Sequence, residues 1–228
     1  MKLLALDTST EACSVALMVD DQIVALDEVC PQQHSKRVLP MVQQLLSEAE
    51  LSLQQLDGLV FGKGPGSFTG VRIGVGVAQG LAFGADLPVH GVSTLAAMAQ
   101  AAFRTMQAKQ VIAAIDARMA EIYLGQYQLD GAGLMQLQGI EQAIKPTALT
   151  PLTDAADYVA VGTGWQTYGD ELQHWQTARS SSILYPSAQD MLVLAKPAWQ
   201  QACFVAAELA EPSYVRDEVS WKKLPGRG

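Results

Sequence analysis

The chain has 228 residues, 49% of them hydrophobic and 17% charged; this suffices for one large domain or two lobes of roughly 100 residues each, and it excludes a disordered chain, which needs low hydrophobicity and high net charge. The formal net charge of −8 argues against sequence-independent nucleic-acid binding, which rests on Lys and Arg neutralising phosphates, and only Trp221-Lys222-Lys223 with Arg227 is locally basic. Cys13, Cys30 and Cys203 lie far apart with no Cys-x-x-Cys pair, the pattern of buried, reduced thiols in a cytoplasmic protein.

Residues 2–7 read as a short buried strand ending at Asp7-Thr8-Ser9-Thr10. The opening Met1 to Leu6 starts like a signal peptide, but Asp7 ends the apolar run too soon. No stretch approaches ~20 uninterrupted apolar residues, so no membrane span is expected. Two further apolar runs, 13–19 and 22–29, meet at Asp20-Asp21 as a hairpin. From Ser35 the period changes to 3.6. Val38, Val42, Leu45 and Ala49, with Leu39 and Leu46 beside them, make 36–50 an amphipathic helix capped by Ser35. A strand near 57–62, the turn Gly62-Lys63-Gly64-Pro65-Gly66-Ser67 and an apolar helix over 70–84 follow. Pro88 to Val92 is a short strand, and Ser93 caps a helix to about 106.

A second unit begins near 110, with strands at 111–115, 121–129 (ending at Asp130-Gly131) and 158–161, and helices at 166–175 and 188–208. Strand-hairpin-helix followed by strand-helix, twice over, is what two mixed α/β lobes produce. The expected division is an N-terminal lobe over 1–108, a C-terminal lobe over 109–187, a helix within 188–210 returning to the first lobe, and a tail over 211–228. No sequence repeat is visible.

Three places carry candidate chemistry. A glycine-rich turn between a strand and a helix lets backbone N–H groups approach a phosphate, which makes Gly64, Gly66, Ser67 and Thr69 candidates. The turn lacks the Gly-Lys-Ser/Thr ending of a P-loop and the third glycine of a dinucleotide fingerprint, so phosphate contact and a purely structural turn both stand. Asp7, Thr8, Ser9 and Thr10 put a carboxylate and three hydroxyls at a strand end, fit either for Mg²⁺ and phosphate or for an Asx turn into the hairpin. Asp116, Arg118 and Glu121 either line a cleft or pair with one another at the surface. His34, His90 and His174 are isolated, so no metal site is expected, and no nucleophile elbow or triad is present.

The helix over 70–84 carries Gly76, Gly80 and Gly84 on one side and Gly70 with Gly74 on another. Interior glycine costs roughly 1 kcal/mol relative to alanine, so a neighbour must approach the backbone closely, either within the lobe or from another chain. The candidate partner surface joins Val38, Leu39, Val42, Leu45 and Leu46 of the first helix to Val71, Gly74, Val75 and Ala78 of the second, as half of a four-helix contact.

Across the whole chain, Lys2 to Thr10, His34-Ser35 to Leu39-Pro40, Gly64-Pro65-Gly66-Ser67-Phe68-Thr69-Gly70-Val71-Arg72-Ile73-Gly74, Asp116-Ala117-Arg118, Gly162-Thr163-Gly164 and Pro212 to Arg216 resemble the bacterial TsaB family. The resemblance implies a two-lobed actin-like ATPase (ribonuclease H-like) fold with mixed sheets flanked by helices. It implies a non-catalytic role in threonylcarbamoyladenosine synthesis on tRNAs reading codons that start with A. The implied partners are the catalytic paralogue TsaD, through a heterodimer, and the ATPase TsaE, with a homodimer when alone. ATP belongs to the assembled complex; no cofactor is held tightly by this chain. The catalytic paralogue carries a His-x-x-x-His metal pair, and those positions fall here on Gly91 and Leu95, which rules against the metalloprotease reading attached to this group. A stand-alone small-molecule kinase or ATPase of the same fold is the alternative, with Asp7, the Gly64-Pro65-Gly66 turn and Asp116 in its active site.

Overall fold

The computed structural model describes residues 1–150, 157–173 and 178–215. Its elements are β1 (Lys2–Asp7), β2 (Ala12–Val19), β3 (Gln22–Val29), α1 (His34–Glu48), β4 (Gly58–Gly64), α2 (Phe68–Ala85), β5 (Val89–Ser93), α3 (Thr94–Met106), β6 (Gln110–Arg118), β7 (Glu121–Leu129), β8 (Met135–Ile144), β9 (Tyr158–Val161), α4 (Gly164–Thr167), β10 (Arg179–Ser180) and α5 (Ala188–Gln200). They build two five-stranded mixed sheets of orders β3-β2-β1-β4-β5 and β8-β7-β6-β9-β10. In each, the first strand pairs antiparallel with a hairpin on one side and parallel with the fourth strand on the other. One topology is used twice with no repeat in the sequence, because strand order depends on where the apolar runs fall and not on which apolar residue fills them. This is the two-lobed, ribonuclease H-like arrangement of the actin-like ATPases.

The period of two sorts the first sheet. Leu4, Leu6, Val15, Leu17, Leu59 and Phe61 face α1 and α2 with Val38, Val42, Leu45, Val71, Val75 and Ala78. Leu3, Ala5, Ala16, Met18 and Val60 face the other way, onto Ala188, Met191, Leu192 and Ala195 of α5. Each fully buried aliphatic side chain contributes about 1.5–3 kcal/mol, so the lobe needs α5 although that helix follows the second lobe in sequence. Arg104 of α3 fastens it with a two-pronged pair, Nε and Nη2 each 2.9 Å from a carboxylate oxygen of Asp190. The second sheet packs Val111, Ala113, Ile115, Tyr127, Val159 and Val161 on α3. Its far side is closed by Leu149, Trp165, Tyr168 and Leu172, from loops and the single turn of α4.

Several expectations shift. The first helix begins at His34 with Gln33, not Ser35, as its N-cap. The helix expected through 188–210 ends at Gln200; beyond it Val205 bridges antiparallel to Val89, and residues 207–209 form a single 3-10 turn. Strand β8 is an element that the sequence pattern does not predict. Of the expected helix 166–175 only Gly164–Thr167 forms, and residues 174–175, like the basic 221–227 tip, lie outside the described residues. Cys13 and Cys30 are buried as expected, but Cys203 is exposed. No helix among the described residues is long and apolar enough to cross a membrane.

Candidate functional site

Parallel pairing of β1 with β4 brings Asp7-Thr8-Ser9-Thr10 beside the glycine-rich turn, as a nucleotide site requires. The two segments then satisfy each other. The Ser67 amide donates to the Ser9 carbonyl at 2.7 Å. The Thr8 hydroxyl donates to the Gly70 carbonyl at 2.7 Å, and the Thr94 hydroxyl to Ser9 Oγ at 3.0 Å. Ser9 donates to Asp7 Oδ1 from both its amide (3.0 Å) and its hydroxyl (2.9 Å), which is the Asx turn weighed above. Ser67 Oγ caps α2 by accepting from the Gly70 amide. A Cβ on Gly66 or Gly70 would lie 2.2 Å from the Ser9 or the Thr8 carbonyl oxygen respectively. These glycines let two backbones touch, leaving no gap between them for a phosphate. Asp7, Thr8, Ser9 and Thr10 are all buried, Gly64 is buried too, and only Ser67 and Thr69 of the set are exposed.

Asp7 is enclosed, and its Oδ2 has no hydrogen-bond partner among the described residues. Burial pushes its carboxyl up to about 6; the two bonds from Ser9 oppose the shift and the charge of Asp27 adds to it.

The expected partner surface divides. Val38, Val42, Leu45, Val71, Gly74, Val75 and Ala78 belong to the lobe's own core, because the 3.6 stripe that sequence reveals is the one that meets the sheet. Leu39 is 46% exposed and Leu46 partly so; with Leu51, Leu53 and Leu81 they line a shallow apolar groove between α1 and α2. The glycines of α2 divide as well. Gly70 and Gly74 press on Thr8, whereas a Cβ on Gly76, Gly80 or Gly84 would meet nothing within 4 Å. Phe83 beside them is 80% exposed.

Asp116 and Arg118 chiefly answer each other. Asp116 accepts from the Arg118 amide (2.9 Å), from Arg118 Nη1 (3.1 Å) and from the Tyr168 hydroxyl (3.0 Å). Arg118 also reaches across the lobes to Glu11 at 3.5 Å. Glu121 lines a cavity of about 820 Å³ between the lobes.

Of the residues of that cavity, Tyr127 and Glu141 carry no reading from the sequence, Ser93 only that of a helix cap and Lys63 only that of a turn residue. Glu141 of β8 accepts hydrogen bonds on Oε1 from the hydroxyls of both Ser93 and Tyr127, joining the two lobes. It reaches them because β8 is irregular: between the pairs Leu124↔Gln142 and Gln126↔Gln138, three residues of β8 oppose one of β7. Burial and the Glu141 charge raise the Tyr127 phenol well above its ordinary value, so it stays a donor. The signal that could have found this strand is Asp130-Gly131, a hairpin turn that requires a returning strand. Ser213, Tyr214 and Val215 form the outer wall of the cavity. There the Arg72 guanidinium lies 3.3 Å from the centre of the Phe68 ring and 5.3 Å from that of Tyr214. Among the described residues no three or more His, Cys, Asp or Glu side chains gather as metal ligands. Gly91 lies on β5 and Leu95 is fully buried on α3.

With this geometry in view, the chain matches known proteins over its whole length. The family model for TsaD, tRNA N6-adenosine threonylcarbamoyltransferase, matches residues 26–223. The chain is 48% identical to the tRNA threonylcarbamoyladenosine biosynthesis protein TsaB of Escherichia coli (strain K12), with 100% of each chain covered. It is 47% identical to the protein of that name from Haemophilus influenzae, over 100% of this chain and 98% of that one. The solved structure of YeaZ from Pseudomonas aeruginosa aligns with a TM-score of 0.87 at 48% identity, over 93% of this chain and 99% of that one.

Proposed function

The chain belongs to the TsaB family of tRNA threonylcarbamoyladenosine biosynthesis proteins, and on that footing we propose that it serves tRNA threonylcarbamoylation as a non-catalytic partner subunit. In this reading it docks on the transferase TsaD, works with the ATPase TsaE in the full complex, and forms a homodimer when alone. ATP is consumed by the assembly and tRNA is held through the partner.

The observation that carries the reading is the outer face of α2. Gly76, Gly80 and Gly84 face open space. Each weakens its helix by about 1 kcal/mol relative to alanine, and nothing in the lobe benefits. Close approach by a helix of another chain accounts for them, and the Leu39–Leu46–Leu81 groove beside them supplies apolar area for the same contact. In this reading the partner surface is this outer face, with Val42 at the floor of the groove, and not the buried stripe through Val38 and Leu45.

Two features support a non-catalytic role. The Thr8 and Ser9 hydroxyls and the Ser9 and Ser67 amides, which a phosphate would need, are spent within the two segments, which also disfavours the stand-alone kinase. Gly91 and Leu95 stand where the resemblance places the paralogue's metal-binding histidines, and neither side chain can ligate a metal. The net charge of −8 leaves tRNA affinity to the partner.

The test is Gly80→Leu. It removes a helix-interior glycine, so the melting temperature should hold or rise, while the new side chain blocks close approach. Sedimentation should show loss of the homodimer, and pull-down with TsaD loss of the heterodimer. If both assemblies persist, the docking face lies elsewhere; ATP turnover by the lone chain would favour the kinase.

A further inference from the structure

We infer that α5 is a pH-gated cover: it lifts from the first sheet as a unit of its own, and lifts more readily once the Asp7 carboxyl beneath it is ionised. The period of two puts Asp7 on the α5 side of β1, after Leu3 and Ala5. The same rule puts Gly62 there on β4 after Val60, Ser14 on β2 before Ala16 and Met18, and Asp27 on β3 after Ile23 and Ala25. The surface under α5 is therefore apolar along most of its length and polar at one end.

The first turn of α5 closes that polar end. The Ser187 hydroxyl donates to Asp27 Oδ1 at 3.0 Å, the Ala188 amide to Ser14 Oγ at 2.7 Å, and the Ser14 hydroxyl to Asp27 Oδ1 at 2.5 Å. Asp7 stays outside this network. Its Oδ1 accepts from Ser9, and its Oδ2 has no partner among the described residues. A Cβ on Gly62 would lie 1.7 Å from that Oδ2 and 3.1 Å from Met191 Cε. The orphan oxygen is thus shut in beside the bare backbone of β4 and the fully buried Met191 side chain of α5. A charge buried without donors is costly, and lifting α5 lets water reach it from the Met191 side.

The charged and titratable groups nearby reinforce this. Asp27 of β3 adds a like charge to the effect of burial. Asp190 of α5 is held by Arg104 of α3, yet burial raises it too, so its ionisation acts on α5 in the same sense. Cys13 of β2 belongs to the core on the other face, and its thiol, pushed up to about 12, stays neutral. Lys63, next to Gly62 on β4, lies on the wall of the interlobe cavity. With Asp7 at about 6 under cover and an ordinary 3.8 when solvated, the open form gains as pH rises between those values and gains little more above them.

Hydrogen–deuterium exchange of the full chain at pH 5, 6, 7 and 8, corrected for the intrinsic pH dependence of amide exchange, tests the cover. Amides of α5 should exchange faster than those of β1 and β2 at every pH, the mark of an opening short of global unfolding. Their protection should fall about tenfold from pH 5 to pH 7 and then level off. Asp7→Asn, which keeps an acceptor for Ser9, should remove most of that fall. Exchange of α5 at the same rate as β1 and β2 would overturn the proposal, as would protection independent of pH in the parent chain. Both outcomes are read without a variant and decide even if Asp7→Asn fails to fold. A folded Asp7→Asn with the fall undiminished would overturn it as well.

Discussion

The two lobes share a strand order and differ in what covers it. The first sheet is sealed by α1 and α2 on one face and by α5 with part of α3 on the other. The second is sealed by α3 on one face and by loops and one helical turn on the other. Its edge strand β8 is largely exposed, with a residue pattern too polar to bury. Identical topology therefore yields a stiff lobe whose outer helical surface is the proposed docking face, and a thinner lobe whose irregular edge forms the wall of a cavity. Cover, more than strand order, decides where a sheet protein meets its ligands.

The contrast can be broken first in the core of the stiff lobe. Leu45, 1% exposed beneath α1, should not tolerate Leu45→Glu. An unpaired buried charge costs about 3–5 kcal/mol, so the circular-dichroism signal of the folded chain should be lost along with dimerisation, whereas Leu137→Glu on exposed β8 should move stability by less than about 0.5 kcal/mol. A folded but monomeric Leu45→Glu would return that side chain to the docking face.

Next is the Asp7 carboxyl. Its folded value of about 6 against an ordinary 3.8 means the fold prefers the protonated form. The stability it contributes is complete below the unfolded value and is lost as pH rises through the folded one, an amount of roughly 3 kcal/mol for a shift of this size. Asp7→Asn should match the parent in urea melts near pH 4 and exceed it at pH 7. Parallel curves across that interval would mean the carboxylate is stabilised by something other than Ser9.

A single helix then supplies a sharper comparison. Gly70→Ala drives a Cβ against the Thr8 carbonyl and should cost about 1–3 kcal/mol. Gly76→Ala, facing open space, should raise stability by about 0.5–1 kcal/mol. Equal effects of the two in thermal melts would erase the distinction between packing glycines and docking glycines. The smallest effect is chemical. Burial pushes the Cys13 thiol up to about 12 and raises Cys30 as well, while Cys203 is exposed. A thiol reagent should modify Cys203 in the folded chain and the other two only after denaturation.

Sequence exposed the fold wherever periodicity is enforced by burial. Glu121 to Leu129 alternates and Tyr158 to Val161 is a short apolar run, and both strands have the bounds that the sequence predicts; the Asp20-Asp21 turn, with φ of 47° and 71°, is the hairpin its residues announce. It hid β8, whose polar run has only one buried residue, Met135, and so also hid Glu141. Hydrophobic spacing marks the side of a helix that meets its own sheet, so Val38, Val42 and Leu45 stand out as the candidate partner surface, whereas Gly76, Gly80 and Gly84 of the docking face proposed above carry no side chain to form a pattern. The nucleotide candidates were brought together as expected. Only packing could reveal that Ser67 bonds Ser9 and Thr8 bonds Gly70.

The late arrival of α5 has a consequence for how the protein is made. As the chain leaves the ribosome, the strands of the first sheet can pair early, yet the face bearing Leu3, Ala5, Ala16, Met18 and Val60 has only part of α3 over it until Ala188, Met191, Leu192 and Ala195 have been synthesised. The whole second lobe must be translated in between. During that interval the nascent chain displays a flat apolar sheet surface of the kind chaperones bind and that otherwise associates between chains. A premature stop anywhere before α5 thus leaves much of one side of the first lobe bare.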